Sequence, residues 1–280
     1  MSTMMEKGRN LGTSVWLILL LVSVAIFGLN TGYATYLGGK LAGAGSSAAD
    51  LQVLSQQLAN QGREAVEGKA DAFTAFKATK TRIDGDVAGL QSGYGSQQGV
   101  SSQIAEVAQT WEPLGKSAEQ LIASEKAVLD LAGNANRFTS QVPNLQAQLD
   151  EVVRAMSAAG AASSQVYIAL RQVVLASTMA RRVTEIQAGG PTAALAGDAL
   201  RRDAGVFESV LQGLREGGTA NVQKVTNAGS IAALNQANAL WVDMKKDLDA
   251  ILGSSQNLFA AQSAAAAITA GSNELLHDSQ

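Results

Sequence analysis

The 280-residue sequence carries 24 acidic and 21 basic side chains, one histidine, three prolines, 28 glycines and no cysteine. A net charge of −3 does not supply the basic face that nucleic-acid binding needs, and without cysteine there are no thiol nucleophiles, iron–sulfur clusters, disulfides or cysteine zinc sites. With the single histidine at position 277, a histidine-based triad or multi-histidine metal centre is not expected either, and the chain reads as a non-enzyme without metal or cofactor.

The first element is apolar. Val15 to Leu29 reads VWLILLLVSVAIFGL without a charge, and the mild flank from Leu11 lengthens the uncharged stretch to 19 residues. At ~1.5 Å per helical residue this is enough for a hydrocarbon core of ~30 Å. Lys7 and Arg9 precede it and the next base is Lys40, which predicts a cytoplasmic N-terminus (residues 1–14), a transmembrane helix over 15–37 and an exported remainder. Trp16, Tyr33 and Tyr36 suit the two headgroup layers. The alternative is a signal peptide cleaved in the run Leu41-Ala-Gly-Ala-Gly-Ser46, which lies more than ten residues beyond the apolar core. The reading adopted is an uncleaved inner-membrane anchor with residues 38–280 in the periplasm.

Helical periodicity covers the remainder. Leu51, Leu54, Leu58, Ala65 and Val66 form a first stripe that stops at Gly68. Phe73, Phe76, Ile83, Val87 and Leu90 form a second, ending at Gly93, before a glycine-rich loop to Gly99. Ile104, Val107, Trp111, Leu114, Leu121 and Ile122 form a third, and Ser124-Glu125 restarts a fourth. The fourth is expected to break at Pro143, resume through Leu145, Leu149, Val152 and Val153, and stop near Gly160.

The pattern then repeats. Val53-Leu-Ser-Gln-Gln-Leu-Ala59 aligns with Val174-Leu-Ala-Ser-Thr-Met-Ala180, and Gly68 with Gly189, at an offset of 121. Ile83, Val87, Leu90 and Gly93 align with Phe207, Leu211, Leu214 and Gly217 at 124, and the segment from Trp111 to Ile122 with that from Trp241 to Leu252 at 130. Offsets that change only near loops are those of a duplication. The fold expected is therefore all-α: a transmembrane helix followed by two tandem up-down helical bundles, at 38–158 and 159–280, with Trp111 and Trp241 buried in equivalent places. An even number of antiparallel helices returns the chain to the membrane side, so a second span is expected after residue 280.

Several segments together carry a family resemblance: Leu51-Gln-Val-Leu-Ser-Gln-Gln-Leu-Ala59, Leu121-Ile-Ala-Ser-Glu-Lys-Ala-Val-Leu129, Val142-Pro-Asn-Leu-Gln-Ala-Gln-Leu149, Lys224-Val-Thr-Asn-Ala228 and the stretch from Arg202 to Glu216. Over about residues 45–280 the chain resembles the PilJ family, methyl-accepting receptors of the type IV pilus chemosensory system. The resemblance implies two PilJ-type modules, a homodimer, the pilin subunit as a candidate partner, and control of a cytoplasmic kinase and adaptor that govern twitching motility and surface sensing. The same module type resembles the sensor domain of nitrate-responsive histidine kinases. Such a kinase sensor, or a ligand-free membrane-anchored scaffold, are the alternatives.

The candidate ligand residues are Arg181, Arg182 and Gln57. Two adjacent guanidinium forks match a planar oxyanion, particularly if two copies oppose them. The plainer reading is a solvated helix face with an Arg181–Glu185 pair four residues apart. Gln57 stands where the family often carries a base, which leaves the first repeat without an obvious anion ligand. Asp84 and Asp86 flank Gly85 but lack the further oxygen ligands of a calcium loop. The sparse aromatic and polar convergence favours recognition of a protein or extended surface over a small metabolite.

Overall fold

The computed structural model describes residues 50–51, 53–96, 101–190, 192–218 and 221–274. The expected span at 15–37, the candidate cleavage run and His277 lie outside them. Among the described residues there are seven helices and no strand beyond a single-residue bridge at Val222, and no helix is long and apolar enough to cross a membrane. The helices are α1 (53–66), α2 (Ala70–Tyr94), α3 (Ser101–Ala123), α4 (Glu125–Ala158), α5 (Ser163–Ala188), α6 (Ala193–Glu216) and α7 (Ala228–Glu274). Their ends follow local chemistry. Gly68, Gly160, Gly189 and Gly217 adopt φ of 86°, 71°, 71° and 80°, a left-handed backbone that only glycine enters at little cost.

The chain forms two compact units, the first from residues up to Glu125 together with those from Ala260 onward, the second from Lys126–Phe259. In the first unit, α1, α2 and α3 bury Leu54, Leu58, Phe73, Phe76, Ile83, Leu114 and Leu121. Gly62 on α1 faces both neighbours closely: a Cβ there would lie 3.3 Å from Phe76 and 3.5 Å from Leu121. The final segment of α7 closes this unit with Ala261, Ala264, Ala265 and Ile268 buried, and a Cβ on Gly271 would stand 2.5 Å from Leu114 Cδ2. Small residues on that segment let the helices come together without long side chains between them.

The second unit is a four-helix bundle of α4, α5, α6 and the first part of α7 around one apolar cluster. Phe138, Leu145 and Leu149 come from α4, Met179 and Val183 from α5, Phe207 and Leu211 from α6, and Trp241, Leu248 and Ile251 from α7. The Trp241 and Phe207 rings lie 4.5 Å apart at 48°. On α5 the buried positions run Gln165, Ala169, Gln172, Ala176, Met179, Val183 and Ile186, alternating steps of four and three, the spacing of one helix face turned to a core.

Two expectations are corrected. Helix α4 does not break at Pro143 but runs unbroken from Glu125 to Ala158. The proline forfeits one backbone bond at a cost of ~3 kcal/mol, and the burial of Phe138, Val142, Leu145 and Leu149 on either side offsets it. Trp111 is only half-buried, unlike Trp241, because its indole Nε1 donates to Asp84 Oδ1 at 2.9 Å and holds the ring at the edge of the unit. The compact units divide the chain after residues 125 and 259. The segment following the Trp111 helix thus contributes to the second unit, and the segment following the Trp241 part of α7 to the first.

Candidate ligand and partner surface

Helix α5 carries the candidate bases and has two regular faces. Opposite its core stripe, the exposed positions run Tyr167, Leu170, Val174, Ser177, Arg181 and Thr184, again in steps of three and four. The first three are apolar and stay open to solvent, at 60%, 44% and 64% exposure. Single exposed apolar side chains are ordinary, but three in line over two turns of one helix form a continuous apolar strip. The core face of the same helix carries two glutamines. Gln172 Nε2 donates to the Ile168 carbonyl at 3.0 Å, and Gln165 holds the loop before α7 through Asn221 and Gln223.

The structure sets the two arginines in different surroundings. Arg181 is exposed, with its Nε 3.7 Å from Glu185 Oε1 one turn on. Arg182 is three-quarters covered, and its Nε donates to Asp203 Oδ2 of α6 at 2.5 Å, which ties α5 to α6. Its guanidinium charge is already matched by that carboxylate, so of the pair only Arg181 faces water. Gln57 is exposed on α1 in the first unit. Sequence reading missed the Asp203 partner because it lies 21 residues away on another helix. It also missed the outward strip, whose only signal is a second set of three-four spacings interleaved with the first.

In the first unit the polar centre is Lys80. Its Nζ reaches Asp84 Oδ2 at 2.8 Å and Glu119 Oε1 at 3.2 Å, and Asp84 also accepts from Trp111. Burial pulls the Lys80 ammonium down, but hydrogen bonds and charge from Asp84 and Glu119 outweigh it and hold the group above the ordinary lysine value. This cluster joins α2 to α3. Asp84 and Asp86 gather no third carboxylate or histidine, and among the described residues no group of three or more potential metal ligands converges.

The resemblance read from the sequence extends over nearly the whole chain. Protein PilJ of Pseudomonas aeruginosa is 33% identical over 276 residues, covering 92% of this chain. The chain is PilJ-like. AlkN of Alcanivorax borkumensis, named for methyl-accepting chemotaxis, is 29% identical over 238 residues and 83% of the chain. The chain spans 39% of the length of PilJ and 34% of that of AlkN. No family model matches it.

Proposed function

We propose that this PilJ-like chain is the sensory part of a chemoreceptor, anchored in a bacterial inner membrane by residues 15–37 with residues 38–280 in the periplasm. It works as a homodimer that binds a protein, the pilin subunit being the candidate. Binding biases one of two packings of its helices, and that bias passes through the membrane to a histidine kinase and its adaptor, which set twitching motility and surface sensing. Similarity to PilJ and to a protein named for methyl-accepting chemotaxis supports the receptor class. The observation that carries the choice of a protein ligand is the outward strip of Tyr167, Leu170 and Val174, which offers an extended apolar contact. The test is binding of the purified soluble domain of the same organism's pilin to the full chain in detergent. Saturable binding that weakens about tenfold or more in Leu170→Glu/Val174→Glu is expected. No saturable binding, or a variant that binds like the parent, would remove pilin docking on this strip.

A further inference from the structure

Thirteen of the eighteen described lysines and arginines sit in ion pairs; Arg63, Arg171, Arg202, Arg215 and Lys224 do not. Two of those five, Arg215 and Lys224, line one cavity of about 240 Å³ in the second unit, where the end of α6, the following loop and the first turns of α7 meet. The apolar part of its lining is Val225 and Leu234, both buried, with Ile231 at the mouth. Asn235 adds a neutral polar group.

The backbone that presents these cations is fixed at several points. Gly217, at φ 80°, ends α6 and donates its N–H to the Gly213 carbonyl at 2.7 Å. Val225 N–H returns to the Leu214 carbonyl at 2.8 Å. Between them, the buried Gln165 of α5 grips the loop from both sides of its amide: Nε2 donates to the Asn221 carbonyl, and Oε1 accepts the Gln223 N–H, each at 2.8 Å. Asn227 Oδ1 then caps α7 by accepting the Gly229 and Ser230 N–H groups at 2.9 and 3.3 Å. Lys224 therefore projects from a loop tied down on each side, which lowers the ordering cost of binding there.

We infer that this cavity binds a small monocarboxylate carried on a short aliphatic chain, its carboxylate held by Arg215 and Lys224 and its hydrocarbon part laid against the exposed Ile231, with the buried Val225 and Leu234 forming the floor beneath. The cavity is smaller than the ~300–1,000 Å³ of drug-sized sites, which suits a ligand of metabolite size. Glu216 also lines it, and its carboxylate accepts from Gln212 Nε2 at 3.1 Å one turn back along α6. With two cations and one anion, the lining carries a single net positive charge, which matches one carboxylate and disfavours two. Arg215 Nη1 has only Asn238 Oδ1 as a partner, at a long 3.4 Å, so turning to a ligand gives up little.

The site is separate from the α5 strip, and its test does not involve pilin. Calorimetric titration of the full chain with 4-methylpentanoate is expected to saturate at one site per chain, with half-saturation in the range of about 0.1–1 mM. The neutral 4-methylpentanamide and the dianion glutarate are expected to bind at least about tenfold more weakly. Arg215→Gln/Lys224→Gln is expected to weaken 4-methylpentanoate about tenfold or more, while Arg63→Gln, an unpaired exposed base in the other unit, leaves it unchanged. Both charged positions are exposed, so the double variant is expected to fold, which far-ultraviolet circular dichroism checks. No saturation by about 10 mM would overturn the inference. So would equal binding of the amide, tighter binding of glutarate, or an undiminished double variant.

Discussion

Trp111 and Trp241 align in the sequence at an offset of 130, and replacing each by alanine separates aligned position from burial. Trp241 is 2% exposed, packed at a tilt against Phe207 with ring centroids 4.5 Å apart and enclosed by the second unit's core. Trp241→Ala opens a cavity on the scale of an indole, and the expected loss is ~3–5 kcal/mol. Trp111 is half-buried and contributes one hydrogen bond to an Asp84 that is already paired with Lys80. Removing it costs part of the ring's burial and a bond worth ~0.5–1.5 kcal/mol, for a total near ~2 kcal/mol. A third variant sharpens the comparison. The Trp241 indole nitrogen is buried without a protein partner, so Trp241→Phe relieves an unpaired donor while losing some volume. The two effects, each ~1–3 kcal/mol, oppose one another, and the variant is expected within ~1.5 kcal/mol of the parent. Urea unfolding followed by circular dichroism at 222 nm reads all three. Equal losses for the two alanine variants would refute the difference in environment, and a Trp241→Phe loss as large as that of Trp241→Ala would show that the indole nitrogen is satisfied.

Lys80 gives the expected pH dependence. Because its folded pKa lies above the unfolded one, its contribution is complete below the ordinary lysine value of ~10.4 and is lost as pH rises through the folded value. Lys80→Met should therefore lower the urea midpoint at pH 7 and flatten the decline of the parent above the ordinary lysine value; parallel curves would disprove the link. Glycines on α7 should split by environment. Gly253→Ala, with nothing within 4 Å of its Cβ, should stabilise by up to ~1 kcal/mol. Gly271→Val, aimed at Leu114 Cδ2, should cost ~1–3 kcal/mol by overpacking, and thermal melts of the two should move in opposite directions.

The helices themselves were legible because local chemistry writes them. Gly68, Gly160, Gly189 and Gly217 stop helices at the positions where the backbone turns left-handed, and Ser124 separates α3 from α4. The phenylalanines placed on stripes, Phe73, Phe76 and Phe207, are all fully buried. Pro143 misled because a proline's local penalty can be exceeded by core residues on either side of it. Trp111 misled because periodicity sees a large aromatic and not the carboxylate of Asp84 one helix away. The choice of helices that share a core is also invisible to periodicity: every amphipathic segment offers a compatible face, and the segment that closes the first unit comes from the far end of α7. At the arginines the four-residue partner Glu185 could be read from spacing, whereas Asp203, the partner that neutralises Arg182, could not.

Core packing does not account for one matched pair in the repeat. Val53 and Val174 align at the offset of 121, and both point outward, at 55% and 64% exposure. Their neighbours one position on differ: Leu54 is buried and Leu175 only partly so. An exposed valine in a helix contributes no core burial, and its β-branched side chain is a weaker helix former than the lysine or glutamate that would suit a solvated position. A stability account therefore predicts that Val53→Glu and Val174→Glu each change folding free energy by no more than ~0.5 kcal/mol, in either direction. A contact account adds a second outcome: at Val174, where Leu170 and Tyr167 extend the apolar line, the charge should weaken partner binding without moving the melting curve. Measuring melting temperature and partner affinity on the same preparations separates the two. A Val174→Glu protein that melts well below the parent would show that this valine supports the bundle, and the outward strip would lose its claim to be a docking surface.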